Sequence, residues 1–184
     1  MNRLASSSQL RASFLRWALF AVPLVLLLGY LSGIAAGSSA DTPWFAGLAK
    51  PAAFPPPAAF GIVWSVLYAL MGLAFALVCA AWGARYRVPA ILAFIVQLAV
   101  NLAWSPVFFA YHEISLALAV IGALDVAVVL TIVLFWLVRR GAALLLLPYL
   151  AWILFATLLN WQFLQLNPHA DGKDSSYAIQ RFEL

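Results

Sequence analysis

Apolar residues in this chain run on for about 20 positions at a time, the number a helix needs to cross a hydrocarbon core about 30 Å thick. Cutting at charges, Pro and Gly leaves five such runs, residues 17–36, 60–82, 89–110, 114–138 and 142–164. The pattern predicts an all-α integral membrane protein, a bundle of five transmembrane helices. Links of only a few residues join the later runs, which makes helices two to five antiparallel neighbours. Residues 37–59 form the one sizeable loop, the place outside the membrane where function is first sought. On this division the chain has a basic N-terminal extension at 1–16, a membrane domain at 17–164 and a polar C-terminal tail at 165–184.

Composition removes the soluble alternative. Charged residues make up 9% of the 184 and hydrophobic ones 66%, whereas a soluble fold needs roughly a quarter of its residues charged to cover its exterior. The first run also invites reading as a signal peptide, because Arg3, Arg11 and Arg16 precede it and Gly37, Ser38, Ser39 and Ala40 follow. Its apolar stretch is longer than a signal core, and Gly29 with Gly33 forms the GxxxG spacing of close-packed membrane helices, so the helix is expected to be retained.

Charge then orients the bundle. Arg3, Arg11, Arg16, Arg85, Arg87, Arg139 and Arg140 fall at the N-terminus and the second and fourth links. Lys50, Lys173 and Arg181 fall on the other side with Asp41, Glu113, Asp171, Asp174 and Glu183. The positive-inside rule places the N-terminus in the cytoplasm and the long loop and C-terminus outside, in the cell inner membrane. The net charge of +4 is thus a record of topology. Arginines spread over three membrane edges are no nucleic-acid surface. Cys79 has no second cysteine, and His112 and His169 stand at predicted helix ends or tails, so no metal site or metal cofactor is expected.

Polar groups inside the runs are costly, and each is either helix glue or part of a site. Trp64 and Tyr68 share one face of the second helix, with Gly61 beside the indole. Gln97, Asn101 and Trp104 form a stripe on the third, followed by Pro106, which can loosen the helix end. Pro148, Trp152, Ala156 and Asn160 repeat every four residues on the fifth, with Thr157 and Leu159 alongside. If the three faces converge, they line a cavity with flat aromatic walls suited to a large planar apolar ligand; taken singly, each reads as well as core filling and interhelical bonding. The loop carries Trp44, Phe45 and Phe54 among prolines, a stiff segment able to cap a cavity or simply to link two helices. Asp125, near the centre of the fourth helix, must face protein or water or stay protonated.

Four stretches carry a resemblance to the TspO/MBR family, the tryptophan-rich sensory and translocator proteins. They are PWFAGLAKP at 43–51, FGIVWSVLYALMG at 60–72, QLAVNLAWSPVFF at 97–109 and PYLAWILFATLLNW at 148–161. The resemblance implies a five-helix bundle, commonly a homodimer, that binds porphyrins and other tetrapyrroles, sterols and benzodiazepine-type ligands beneath the first loop. By matching positions it implies a pocket of Trp44, Trp64, Tyr68, Gln97, Asn101, Trp104, Trp152, Ala156, Leu159 and Asn160. The roles it implies are regulation of tetrapyrrole metabolism or stress signalling by a membrane receptor, light-dependent porphyrin breakdown, or transport. Breakdown has as its reactive candidates only the indoles of Trp64 and Trp152, since no nucleophile with an adjacent base is visible. Transport lacks a visible inverted repeat. Ala53 stands where many members carry an aromatic, and Trp161 replaces the tyrosine of the cholesterol-recognition pattern with no basic residue until Lys173, so that pattern is not met.

Reporter fusions test the orientation: a fusion at the N-terminus or at Arg139 should report cytoplasm and one at the C-terminus should not. A cytoplasmic C-terminus would overturn it.

Overall fold

The computed structural model describes residues 7–38 and 42–172. Arg3, Ser39, Ala40, Asp41, Lys173, Asp174, Arg181 and Glu183, named above, lie outside the described residues. The elements run α1 (Ser7–Ala35), α2 (Pro43–Gly47), α3 (Pro57–Cys79), α4 (Arg87–Ser105) with a π-helical turn (Pro106–Ala110), α5 (Ile114–Val138), α6 (Arg140–Leu145) and α7 (Leu147–Leu166). Among the described residues, five spans are long and apolar enough to cross a membrane: α1, α3, α4 with its π turn, α5, and α6 with α7. The protein is an all-helical bundle of five such spans.

Helix ends follow local chemistry. α1 closes with Gly37 in the left-handed region at φ +60°, Ser38 N–H donating to Gly33 O at 3.0 Å and Gly37 N–H to Ile34 O at 2.9 Å. That is the Schellman arrangement, and glycine takes it without a Cβ penalty. The fifth span breaks at Leu146 because Pro148 brings no N–H to the carbonyl four residues back, and α7 restarts with this proline in its first turn. α1 starts well before the apolar run at 17–36, so it carries part of the basic extension as helix.

Proline shapes the end of α4 as well. Pro106 cannot donate to Leu102 O, and the helix widens into the π turn there. The Ser32 hydroxyl of α1 donates to that same Leu102 O at 2.7 Å. A side chain from one helix thus replaces a backbone donor missing from another.

The helices close a ring. α1 packs along α3 and touches α4, α4 packs along α5, α5 along α7, and α3 meets α6 and α7. On α5 the inward residues are Ile114, Ala117, Ile121, Leu124, Val128, Thr131 and Phe135, alternate steps of three and four that keep one seam facing the neighbours. A Cβ built on Gly72 would stand 2.6 Å from Val22 Cα, so α1 and α3 approach backbone to backbone there. Of the GxxxG pair only Gly29 faces another helix: a Cβ there would lie 2.1 Å from the Tyr68 ring. The bundle half at the α3–α4 and α5–α6 turns is filled, with Phe75 stacked on Phe94 at 4.4 Å and Phe94 on Phe135 at 5.9 Å. The other half, under the first loop, is hollow.

The Ser32–Leu102 bond yields a double-mutant test. Ser32→Ala should destabilise the folded bundle by about 0.6 to 2 kcal/mol, the range for a hydrogen bond between membrane helices and for an acceptor left unpaired. Pro106→Ala restores the backbone donor, so the Ser32→Ala cost should shrink in that background, read as midpoints of unfolding in denaturing detergent. Equal costs in both backgrounds would refute the substitution of one donor for the other.

Candidate functional site

The hollow half holds a cavity of about 1300 Å³. Its walls come from the C-terminal half of α1, the N-terminal half of α3, the C-terminal half of α4, one face of α7 from Trp152 to Phe163, and Ile121 and Leu124 of α5. Eight of the ten residues singled out in the sequence border it: Trp64, Tyr68, Asn101, Trp104, Trp152, Ala156, Leu159 and Asn160. Trp44 and Gln97 do not. Periodicity brought the aromatic and amide faces of α3, α4 and α7 onto one space, as four-residue spacing on each helix requires.

One flat surface is Trp64 stacked on Tyr68, centroids 5.1 Å apart and planes at 29°. Gly29 makes this surface. Without a Cβ it lets the Tyr68 ring lie against α1, and its own backbone joins the lining. Trp104 of α4 stacks on Phe108 at 5.1 Å, and Trp152 meets Phe60 edge-on at 5.8 Å.

The amides are mostly engaged with the protein itself. Tyr68 Oη donates to Asn101 Oδ1, Asn101 Nδ2 to Tyr149 Oη, and Tyr149 Oη to Gln97 Oε1, each at 3.0 Å. This chain ties α3, α4 and α7 together behind the cavity. Gln97 sits at its buried end, which is why it misses the lining. Trp104 Nε1 donates to Asn160 Oδ1 at 3.1 Å, and Asn160 Nδ2 to Ile114 O at 3.0 Å, linking α4, α7 and α5. Among the lining indoles, the buried Trp152 Nε1 has no hydrogen-bond partner.

The first loop roofs this space with aromatics. Phe45 of α2 and Phe54 border the cavity and pack on Phe163 at 5.7 and 5.5 Å. Trp44 turns the other way, stacked on His112 at 4.4 Å and edge-on to Phe108 at 5.6 Å, and so anchors the roof from outside the cavity. Asn167, just past α7, accepts from Ala49 N–H at 2.8 Å and donates to Ala49 O at 3.0 Å. Lys50 Nζ donates to Phe45 O and Leu48 O and stands 4.3 Å from the Phe45 ring centre. Partial burial holds its ammonium pKa below the ordinary lysine value. The open side lies between α1 and α3, where Tyr30, Ile34, Ile62 and Val66 border the cavity and are each more than half exposed.

Asp125 lies off the cavity, hydrogen-bonded across to α7: the Thr157 hydroxyl donates to Asp125 Oδ2 at 2.9 Å and stands equally close to Ile153 O. Among the described residues no three of His, Cys, Asp and Glu cluster as metal ligands. Two participants, Tyr149 and Gly29, show no sign of their role in the sequence. Tyr149, the hub of the hydrogen-bond chain, sat unremarked beside Pro148. The GxxxG spacing of α1 points in the sequence to packing alone, whereas Phe45 and Phe54 belong to the stiff aromatic segment expected either to cap a cavity or to link two helices, and both border the cavity.

Comparison with known proteins agrees with this architecture. The TspO/MBR family model matches residues 21–166. The tryptophan-rich protein TspO of Archaeoglobus fulgidus is 41% identical over 147 residues, 78% of this chain and 92% of its own length. That of Chlorobaculum tepidum is 36% identical over 151 residues, 79% of this chain and 96% of its own. The human translocator protein is 40% identical over 121 residues, covering 64% of this chain and 71% of its own. With the family model spanning all five membrane helices and relatives aligned over most of their length, the chain belongs to the TspO/MBR family.

Proposed function

We propose that this protein is a membrane receptor or regulator that binds a tetrapyrrole in the cavity beneath the first loop, in the service of tetrapyrrole metabolism or stress signalling. The observation that carries the reading is a 1300 Å³ space walled by Trp64, Tyr68, Trp104 and Trp152 whose bordering amides, Asn101 and Asn160, are already engaged by tyrosine hydroxyls, an indole N–H and a backbone carbonyl. Such walls offer stacking and apolar burial with few free polar groups, the chemistry of a large planar ring system. A roof already pinned by Asn167 needs little ordering when a ligand arrives. The same reading puts the chain in the cell inner membrane as a homodimer, N-terminus in the cytoplasm and the roofed mouth outside.

A second reading, light-dependent breakdown of the bound porphyrin, is favoured by Trp64 and Trp152 both bordering the cavity and by the unpartnered Trp152 Nε1. Indoles in contact with a photoexcited porphyrin stand where its oxidants form.

Titration of the purified protein with protoporphyrin IX tests both. In darkness, binding should quench tryptophan fluorescence and shift the porphyrin absorption bands. Trp64→Ala should weaken affinity by about 1 to 3 kcal/mol, on the scale of base–aromatic stacking, or roughly five-fold to over a hundred-fold. Ala156→Leu should crowd the space, whereas enlarging Ala127, off the lining, should matter less. Affinity unchanged by Trp64→Ala, Trp152→Ala and Ala156→Leu alike, in folded proteins, would overturn the site. Under illumination, loss of the porphyrin bands that slows in Trp64→Ala or Trp152→Ala at saturating porphyrin would favour the breakdown reading. Stable bands would favour the receptor.

A further inference from the structure

At the end of the bundle away from the cavity, the described residues carry Arg11, Arg16, Arg85, Arg87, Arg139 and Arg140 and not one carboxylate. Glu113, Asp125 and Asp171 lie at the other end or mid-membrane, so these guanidiniums have no counterion within the described protein. Three of them rest on aromatic rings: Arg87 stands 3.9 Å from the Trp82 ring centre, Arg140 5.3 Å from Trp136 and Arg85 5.4 Å from Tyr86. Arginine and aromatic groups at the level where an apolar span ends face lipid headgroups.

One point on this rim is concave. A second cavity of about 420 Å³ is lined by Ser13, Arg16, Trp17, Phe20 and Trp82. The register of α1 on α3 creates it. With Val22 against Gly72 and Gly29 against Tyr68, antiparallel packing brings residues 13–17 of α1 alongside the chain just past α3, where Trp82 stands. α1, at 29 residues, is about 43 Å long and overruns a hydrocarbon core of about 30 Å, so its first turns rise through the headgroup layer. Beside this cavity Arg87, held by its Nε–H donating to Cys79 O at 3.0 Å, rests on the Trp82 ring.

The geometry points to a binding site for the headgroup of an anionic glycerophospholipid in the leaflet at this end of the bundle. The phosphate sits against Arg16 and the Ser13 hydroxyl, both hydrogen-bond donors to its oxygens. Phe20, Trp17 and Trp82 receive the glycerol and the upper acyl chains, which gives the site an apolar lower wall that a free phosphate has no use for. The uncompensated charge selects an anionic lipid over a zwitterionic one.

Native mass spectrometry of the full-length protein in detergent, with phosphatidylglycerol and phosphatidylcholine of equal chains, tests this. Wild type should retain phosphatidylglycerol preferentially. Trp82→Ala, which removes part of the apolar wall that both lipids use, should weaken retention of both, and Arg16→Gln should lower the preference about five-fold, the worth of one basic residue at a membrane surface. Arg16→Lys should keep most of it, and Arg140→Gln, at the same end but off the cavity, should leave it unchanged. Helical circular dichroism confirms that each variant is folded. An equal loss in Arg140→Gln would replace the site with diffuse attraction and overturn it, as would no preference in wild type. Displacement of the lipid by millimolar inorganic phosphate would assign the donors to a free anion instead. A dimer that forms only when the groove is free of lipid would assign the groove to a second copy of the chain. Either result overturns the proposal.

Discussion

Hydrocarbon offers no hydrogen-bond partner, and in this bundle that constraint decides where the polar side chains go. Asn101, Gln97, Tyr68 and Tyr149 bond in one chain across three helices that leaves Gln97 Nε2 unpartnered, and Asn160 adds two more bonds, accepting from Trp104 Nε1–H and donating to Ile114 O. Even the backbone gap left by Pro106 is filled from a neighbour, by Ser32. Each link fixes the rotation of one helix against another, because a helix turned by one residue would carry its donor about 100° away from its acceptor. The aromatic faces then point inward as a consequence.

Those links sit mainly in the same half of the bundle as the cavity, and the pairing has a physical reason. In the filled half, Phe75, Phe94 and Phe135 interlock and hold the helices by contact alone. A hollow half forgoes those contacts, and directional bonds between its walls hold the helices at a distance that packing would otherwise close. The roof belongs to the same scheme: Asn167 pins the loop backbone at Ala49, and Lys50 ties Phe45 O to Leu48 O, so the lid over the space is fixed without filling it.

The five spans and the inward faces of α3, α4 and α7 were legible in the sequence because polar groups in an apolar run are costly and so rarely idle. Where a helix is apolar all round, as α1 and α5 largely are, hydropathy does not separate the face that meets protein from the face that meets lipid. The contribution of α1 to the cavity was therefore hidden, although Gly29 marked the spot where Tyr68 needed room. Trp44 and Gln97 shared types and spacing with the lining residues and still fall outside it. Trp44 is drawn to His112 by stacking, and Gln97 stands a turn below Asn101, behind Tyr149. Ser32 carried no visible signal, since a serine in a membrane helix is unremarkable until a proline on another helix leaves a carbonyl open beside it.

The π turn at the end of α4 joins these themes. A π turn takes in one residue more than the α-helical ladder has room for, and it turns the residues beyond it relative to the face that precedes it. Up to Trp104 the polar stripe of α4 faces α3 and α7; past Pro106, Phe108 is buried beneath α2 and Phe109 lines the cavity wall against Phe45. Phe108 and Phe109 both reach Phe45 of the roof, while Trp104, stacked on Phe108, stays on the wall. The proline that costs α4 a hydrogen bond is thus what lets a single helix contribute both a wall to the cavity and a seat for its roof, and Ser32 makes that arrangement tolerable in hydrocarbon.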